Sequence, residues 1–439
     1  MRHRVAFALG LLVTAVLGSA PALRAQGGEP KRETFEELLA RARAQREALQ
    51  SKLGGEVKDR VTRLEPGDRN ARPADVERAV LDVVALGGEA VPLLVPYLDP
   101  GAQAAEREVQ RARRVALALL RMDTSAATDA LLAGLASYGP EGQKNVLRVL
   151  ETSKEPERVK PRVSELFRAS QGELRGAALR ALFALGAAGD AGFVKEVLLG
   201  PDVELTRLAL RALADGRQAS LLDATETLMA DAKRAGPLLG ELLDYLKAVS
   251  GSLREKDLLA LARLATLSEL DVERRVAVLV ALPELVDKLS PELKKPLERA
   301  SEARDRKVKE AAYVARVCLG DKAARKELML EYDDRIKKND RWAPAWGERA
   351  EILFRIRDYD AAVKDYNTAI SIGKNDPTPR PDYFVGLAKS YAMLGKLKDA
   401  ADWLERAPIT IEELKALAGD PAFAKLREHS KYGGVFGTK

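Results

Sequence analysis

The sequence predicts an all-α chain, a superhelix of stacked helical hairpins (an α-solenoid), and three observations predict it. Between Trp346 and Ala407 one hairpin is written twice: Trp346, Ala350, Leu353, Tyr359, Ala362, Tyr366 and Ala369 in the first copy, then Phe384, Ala388, Tyr391, Gly395, Leu397, Ala400, Leu404 and Ala407. Upstream, Glu173-Leu174 with Ala178, Leu179, Ala181 and Leu182 returns 31 positions later as Glu204-Leu205 with Ala209, Leu210, Ala212 and Leu213. No sustained period-2 pattern marks a strand anywhere, and the β-branched runs fall inside helical stripes. Small residues recur where helices must approach and large ones fill the gap to the next helix, so each unit buries its apolar face only by stacking on a neighbour.

Taken in order, the chain starts with Arg2 and Arg4, an apolar run from Val5 to Leu17, and a small-residue stretch ending at Ala25. That order reads as a secretory signal, its core too short for a spanning helix, with cleavage expected after Ala25. The body is therefore expected to be periplasmic or secreted, touching membrane only through residues 1–25 if they are retained. Cleavage would remove Arg2, Arg4 and Arg24 and no acid, taking the formal charge from +6 to +3. Basic and acidic residues alternate along the body, with no isolated basic block, which argues against a nucleic-acid partner.

Residues 26–73 read as an amphipathic helix and a linker. The helix runs from Lys31 to Leu53 with Phe35, Leu38, Leu39, Ala42, Leu49 and Leu53 on or near one side; Gly54 and Gly55 are expected to stop it. The stretch from Glu65 to Pro73 lacks an apolar face and reads as the linker.

From residue 74 to 340 paired amphipathic helices are separated by Gly, Pro, Asp or Ser at intervals of roughly thirty to forty residues. A second echo, Asp75-Val-Glu-Arg78 with Val84-Ala-Leu86, returns as Asp271-Val-Glu-Arg274 with Val280-Ala-Leu282. This region resembles HEAT repeats, and residues 85–98 match best. The resemblance implies an outer helix carrying the Ala/Leu stripe and a short inner helix after it. Most prolines, Pro140, Pro201, Pro291, Pro377, Pro379 and Pro381 among them, are placed at first turns or between helices.

The hairpins of residues 341–408 resemble tetratricopeptide repeats, and the insert from Asp376 to Asp382 stretches their period to 38 residues. In that family the groove is lined by the first helix of each hairpin. The resemblance implies Pro344, Gly347, Glu351, Phe354 and Arg355 from one copy and Asp382, Val385, Lys389, Ala392 and Met393 from the next. Glu351, Phe354, Arg355, Lys389 and Met393 are the candidate peptide-binding residues. Gly347 and Glu351 stand where carboxylate-binding members carry Lys and Asn, so a peptide C-terminus is not the expected ligand. Residues 409–439 resemble the helix and tail that close such arrays.

No catalytic, cofactor or metal set is legible. After signal removal the chain holds one histidine, His429, and one cysteine, Cys318, the latter expected as a small core residue. No nucleophilic triad or His/Cys metal site can be assembled from these. Gly373-Lys374 and Gly395-Lys396 lack the rest of a phosphate loop. Adjacent acids such as Asp333-Asp334 diverge by about 100° on a helix. The expected function is a non-catalytic scaffold for a protein or peptide partner. An enzyme-associated HEAT-like solenoid, lyase-like or accessory, and an envelope polymer binder using Trp342 or Trp403 are the alternatives.

Overall fold

The computed structural model describes residues 35–65, 72–375 and 380–437. The expected signal segment, much of the linker, and Pro377 and Pro379 of the insert lie outside them. The described residues form an all-helical solenoid without a strand. Its helices are α1 (Phe35–Arg63), α2 (Pro73–Val84), α3 (Val91–Leu94), α4 (Glu106–Met122), α5 (Ser125–Ser137), α6 (Pro140–Leu150), α7 (Pro156–Ala169) and α8 (Gly172–Ala184). They continue as α9 (Ala191–Leu199), α10 (Val203–Asp215), α11 (Leu222–Met229), α12 (Ala232–Ala235), α13 (Leu239–Ala248), α14 (Glu255–Leu264), α15 (Val272–Leu285) and α16 (Pro291–Ser301). The C-terminal part holds α17 (Arg306–Cys318), α18 (Lys322–Lys338), α19 (Ala343–Arg355), α20 (Tyr359–Ile372), α21 (Pro381–Met393), α22 (Leu397–Arg406), α23 (Ile411–Leu417) and α24 (Ala424–Glu428).

The starts of these helices are written in the sequence. Asp202, Asp271, Asp305, Asp321 and Asp358 each accept a backbone N–H of the first turn, satisfying donors that have no partner inside the helix. Pro73, Pro140, Pro156, Pro291 and Pro381 occupy first helical positions, where a missing N–H costs nothing. Pro161, Pro283 and Pro296 instead lie within helices.

Two layers follow from the packing. Helices α2, α4, α6, α8, α10, α13, α15 and α17 each pack on the next in one layer; α9, α11, α14 and α16 do so in the other. The repeated blocks fall on α8 and α10, where Ala178, Leu179, Leu182, Ala209, Leu210 and Leu213 are buried in one continuous core. That core ends near Leu319. A second core takes Val314 of α17 and Leu328 and Tyr332 of α18 together with α19 to α21, and a third joins Ala388, Ala400 and Leu404 to Phe423, Leu426 and Phe436 of the C-terminal segment.

The first helix departs from expectation. Gly54 and Gly55 do not end it: α1 runs to Arg63, because Val57, Val61 and Leu64 beyond the glycines are buried against α2 and α3, at the start of the long arm that α2 to α17 form, and hold that end helical. Packing outweighs the cost of about 1 kcal/mol for each helical glycine. Residue Pro73, assigned to the linker, is the first residue of α2.

Candidate functional site

Glycine decides how closely the two hairpins dock. A Cβ on Gly347 would stand 2.2 Å from a ring atom of Tyr383, and one on Gly386 would stand 2.3 Å from a ring atom of Tyr366. The tyrosines of α20 and α21 therefore seat on the bare backbones of α21 and α19. Gly347, expected to line the groove, is buried under the Tyr383 ring as a packing seat at the edge of a pocket.

Stacking α15, α17, α19 and α21 produces a groove along one side of the superhelix. A cavity of about 370 Å³ is lined by Val280 and Pro283 of α15, Val314 and Cys318 of α17, Phe354 and Arg355 of α19, and Met393 of α21, with Pro421 and Ala422 of the C-terminal segment at one edge. Val280 and Met393 are 49% and 44% exposed, so apolar surface faces the opening. At this end the helix carrying the repeated Val280-Ala-Leu282 block, expected on the outside, forms the wall of the groove.

Beside it lies a polar pocket of about 390 Å³, which Arg355 also borders. Arg355 pairs there with Glu310, whose second oxygen accepts the Tyr332 hydroxyl at 2.8 Å. Tyr366 donates to Glu351 at 2.8 Å, and Arg380 pairs with Asp382 at 2.8 Å. Burial, reinforced by the neighbouring Glu351 and Glu310 carboxylates, pushes the Tyr366 and Tyr332 phenols well above their ordinary pKa. Both stay protonated donors throughout the physiological range.

Four of the five candidate residues are thus divided between two surfaces, and the fifth, Lys389, lines neither. Glu351 lines the polar pocket, Phe354 and Met393 line the apolar groove, and Arg355 stands between them. Phe354 also packs on Tyr359, with ring centroids 5.4 Å apart. Lys389 faces the C-terminal segment, paired with Asp420 at 2.7 Å. Cys318 is only half-buried; its thiol donates to the Arg355 carbonyl at 3.4 Å, and burial raises its pKa against the lowering influence of Arg357 and Arg355. Of the tryptophans, Trp342 is exposed and Trp403 packs on Phe384, neither of them lining the groove or the polar pocket.

Sequence reasoning missed the arm's share of the groove, Val280, Pro283 and Val314, and missed Arg357. The signal for Val280 was a β-branched residue off the stripe whose Val278, Leu279 and Leu282 are buried. The signal for Arg357 was its alignment, at the repeat's offset, with Gly395. Among the described residues no group of three or more His, Cys, Asp or Glu could hold a metal, and no single helix is long and apolar enough to cross a membrane. No family model matches the chain, and no curated protein matches it either.

Proposed function

We infer that this chain is a non-catalytic protein-interaction scaffold, exported to the periplasm or secreted, that captures a polypeptide along the groove of its C-terminal half. On this reading residues 74–340 are HEAT-like repeats, residues 341–408 are two tetratricopeptide-like hairpins, and residues 409–439 close the array. The observation that carries it is the groove itself: four alternate helices, α15, α17, α19 and α21, each contribute apolar surface, through Val280, Val314, Phe354 and Met393, next to a polar pocket. Such a surface favours an extended or helical segment with one apolar and one polar side, held by many modest contacts around a few anchors. The cavity is at the small end of the range for ligand pockets, about 300–1,000 Å³, which suits a side chain or two.

The double change Glu351→Arg with Phe354→Ala tests this. Partner capture should be lost while the helical circular-dichroism signal persists, since Glu351 is exposed and Phe354 only half-buried. Unaltered capture by a folded double variant would remove this groove from the function. Turnover of an envelope substrate that a single carboxylate substitution abolishes would replace the scaffold with an enzyme.

A further inference from the structure

Arg357 sits where the repeat calls for glycine. It holds φ 65° at the end of α19, and the matching residue of the second hairpin, Gly395, holds φ 75°. A side chain in this left-handed region is strained, and glycine is the usual solution at a helix C-terminus. Asp123 and Arg217 share the conformation, but of the three only Arg357 lines the groove. Its guanidinium donates to the Pro283 carbonyl at 3.2 Å, a bond that crosses from the hairpins to the arm.

The remaining charges at the groove are internally matched. Arg355 pairs with Glu310, Glu284 with Lys247 at 2.8 Å, and Asp420 with Lys389 at 2.7 Å. Arg357 forms no ion pair among the described residues. A guanidinium carries five N–H donors, and the bond to Pro283 uses one. The groove therefore offers apolar walls and a single uncommitted cation whose fork fits a carboxylate.

We propose that Arg357 is the specificity-determining residue of the groove, binding an aspartate or glutamate side chain of a polypeptide whose adjacent apolar side chain lies against Phe354, Met393 and Val280. This rests on the reading of the groove as a polypeptide site. An internal acidic side chain fits better than a chain terminus or a fatty acid for two reasons. One guanidinium matches one side-chain carboxylate, and Arg355 borders both the groove and the polar pocket, so a peptide backbone that passes it meets hydrogen-bonding groups at Glu310, Glu351 and Arg380 that are of no use to an acyl chain.

Fluorescence anisotropy with the purified chain tests it using four labelled probes. They are an acetylated, amidated peptide carrying glutamate beside leucine and phenylalanine in a glycine-serine frame, its glutamine twin, the glutamine peptide with a free C-terminal carboxylate, and decanoate. The glutamate peptide should bind at least tenfold tighter than its twin. Arg357→Gly should erase that difference without lowering the melting temperature, because glycine adopts φ 65° freely, and Arg357→Lys should keep part of it. Equal binding of the twins, or a preference that survives in Arg357→Gly, overturns the role of Arg357 and leaves the polypeptide groove intact. Preference for the free-carboxylate peptide or for decanoate overturns the choice of ligand. If none of the three peptides binds, the polypeptide reading of the groove falls with it.

Discussion

Replacing Gly386 by alanine sets two effects of opposite sign against each other. In an unconstrained helix the change gains about 1 kcal/mol, because glycine has the larger conformational entropy to lose. Within α21 the new methyl would lie 2.3 Å from Cζ and 2.5 Å from the hydroxyl oxygen of Tyr366. The ring cannot yield cheaply: it is 2% exposed and its hydroxyl is bonded to Glu351 at 2.8 Å. Overpacking costs about 1–3 kcal/mol, and losing the hydrogen bond costs about 1 kcal/mol more. The net expectation is destabilisation of the hairpin pair by about 2 kcal/mol. All three tryptophans, Trp342, Trp346 and Trp403, lie in or beside the hairpins, so their fluorescence reports this region while circular dichroism reports the whole superhelix. With a urea dependence of about 2 kcal/mol per molar, the fluorescence midpoint should fall by about 1 M. Gly54→Ala is the control, since no atom lies within 4 Å of its added Cβ; it should leave the tryptophan midpoint unchanged. A Gly386→Ala midpoint equal to or above wild type would refute the seating of Tyr366 on α21.

Four further outcomes follow from the same structure. Ala362, fully buried between helices, should tolerate no bulk: Ala362→Arg is expected to cost roughly 2–4 kcal/mol, read by the same fluorescence. Burial pushes the Asp321 carboxyl up, but the Arg316 guanidinium at 2.8 Å and the Ala324 N–H outweigh it and hold its pKa below the ordinary value. The stability this contributes is present above the unfolded carboxylate pKa of about 3.9 and is lost as the pH falls through the lower folded value; Asp321→Asn should remove that acid dependence and cost roughly 3 kcal/mol at neutral pH, checked by urea titrations at a series of pH values. Cys318 should react slowly with a thiol reagent at neutral pH and more slowly still with a groove ligand bound, while Cys318→Ser leaves the biological output largely intact. Edman sequencing of the exported protein should begin near Gln26; an intact Met1 on a cytoplasmic product would end the export reading.

The helical class was legible because hairpin stacking imposes small residues at fixed intervals. Ala362, Ala369, Ala388 and Ala400 are fully buried at the positions the repeat assigns them. The length of α1 was not legible, since local propensity at Gly54 and Gly55 speaks for a stop while the contacts that override it come from α2 and α3, beyond a segment whose path no periodicity encodes. The groove was half legible. Phe354 and Met393 project where the hairpin register places them, but the facing wall depends on how tightly α15 and α17 turn toward α19, and curvature is a sum of side-chain sizes between layers. Lys389 illustrates the same limit: its neutralisation by Asp420 depends on the path of the C-terminal segment, which no periodicity encodes.

Site-specific photocrosslinking in the native host shows whether the groove holds a polypeptide. A photoreactive residue at Val280 or Met393, both exposed on the groove, should form a crosslink to a discrete polypeptide, and the same residue at Leu330, 53% exposed and outside the groove and the polar pocket, should not. The Val280 and Met393 adducts should contain the same partner and vanish with Glu351→Arg and Phe354→Ala. Adducts absent from both groove positions, or equally abundant at Leu330, would contradict it.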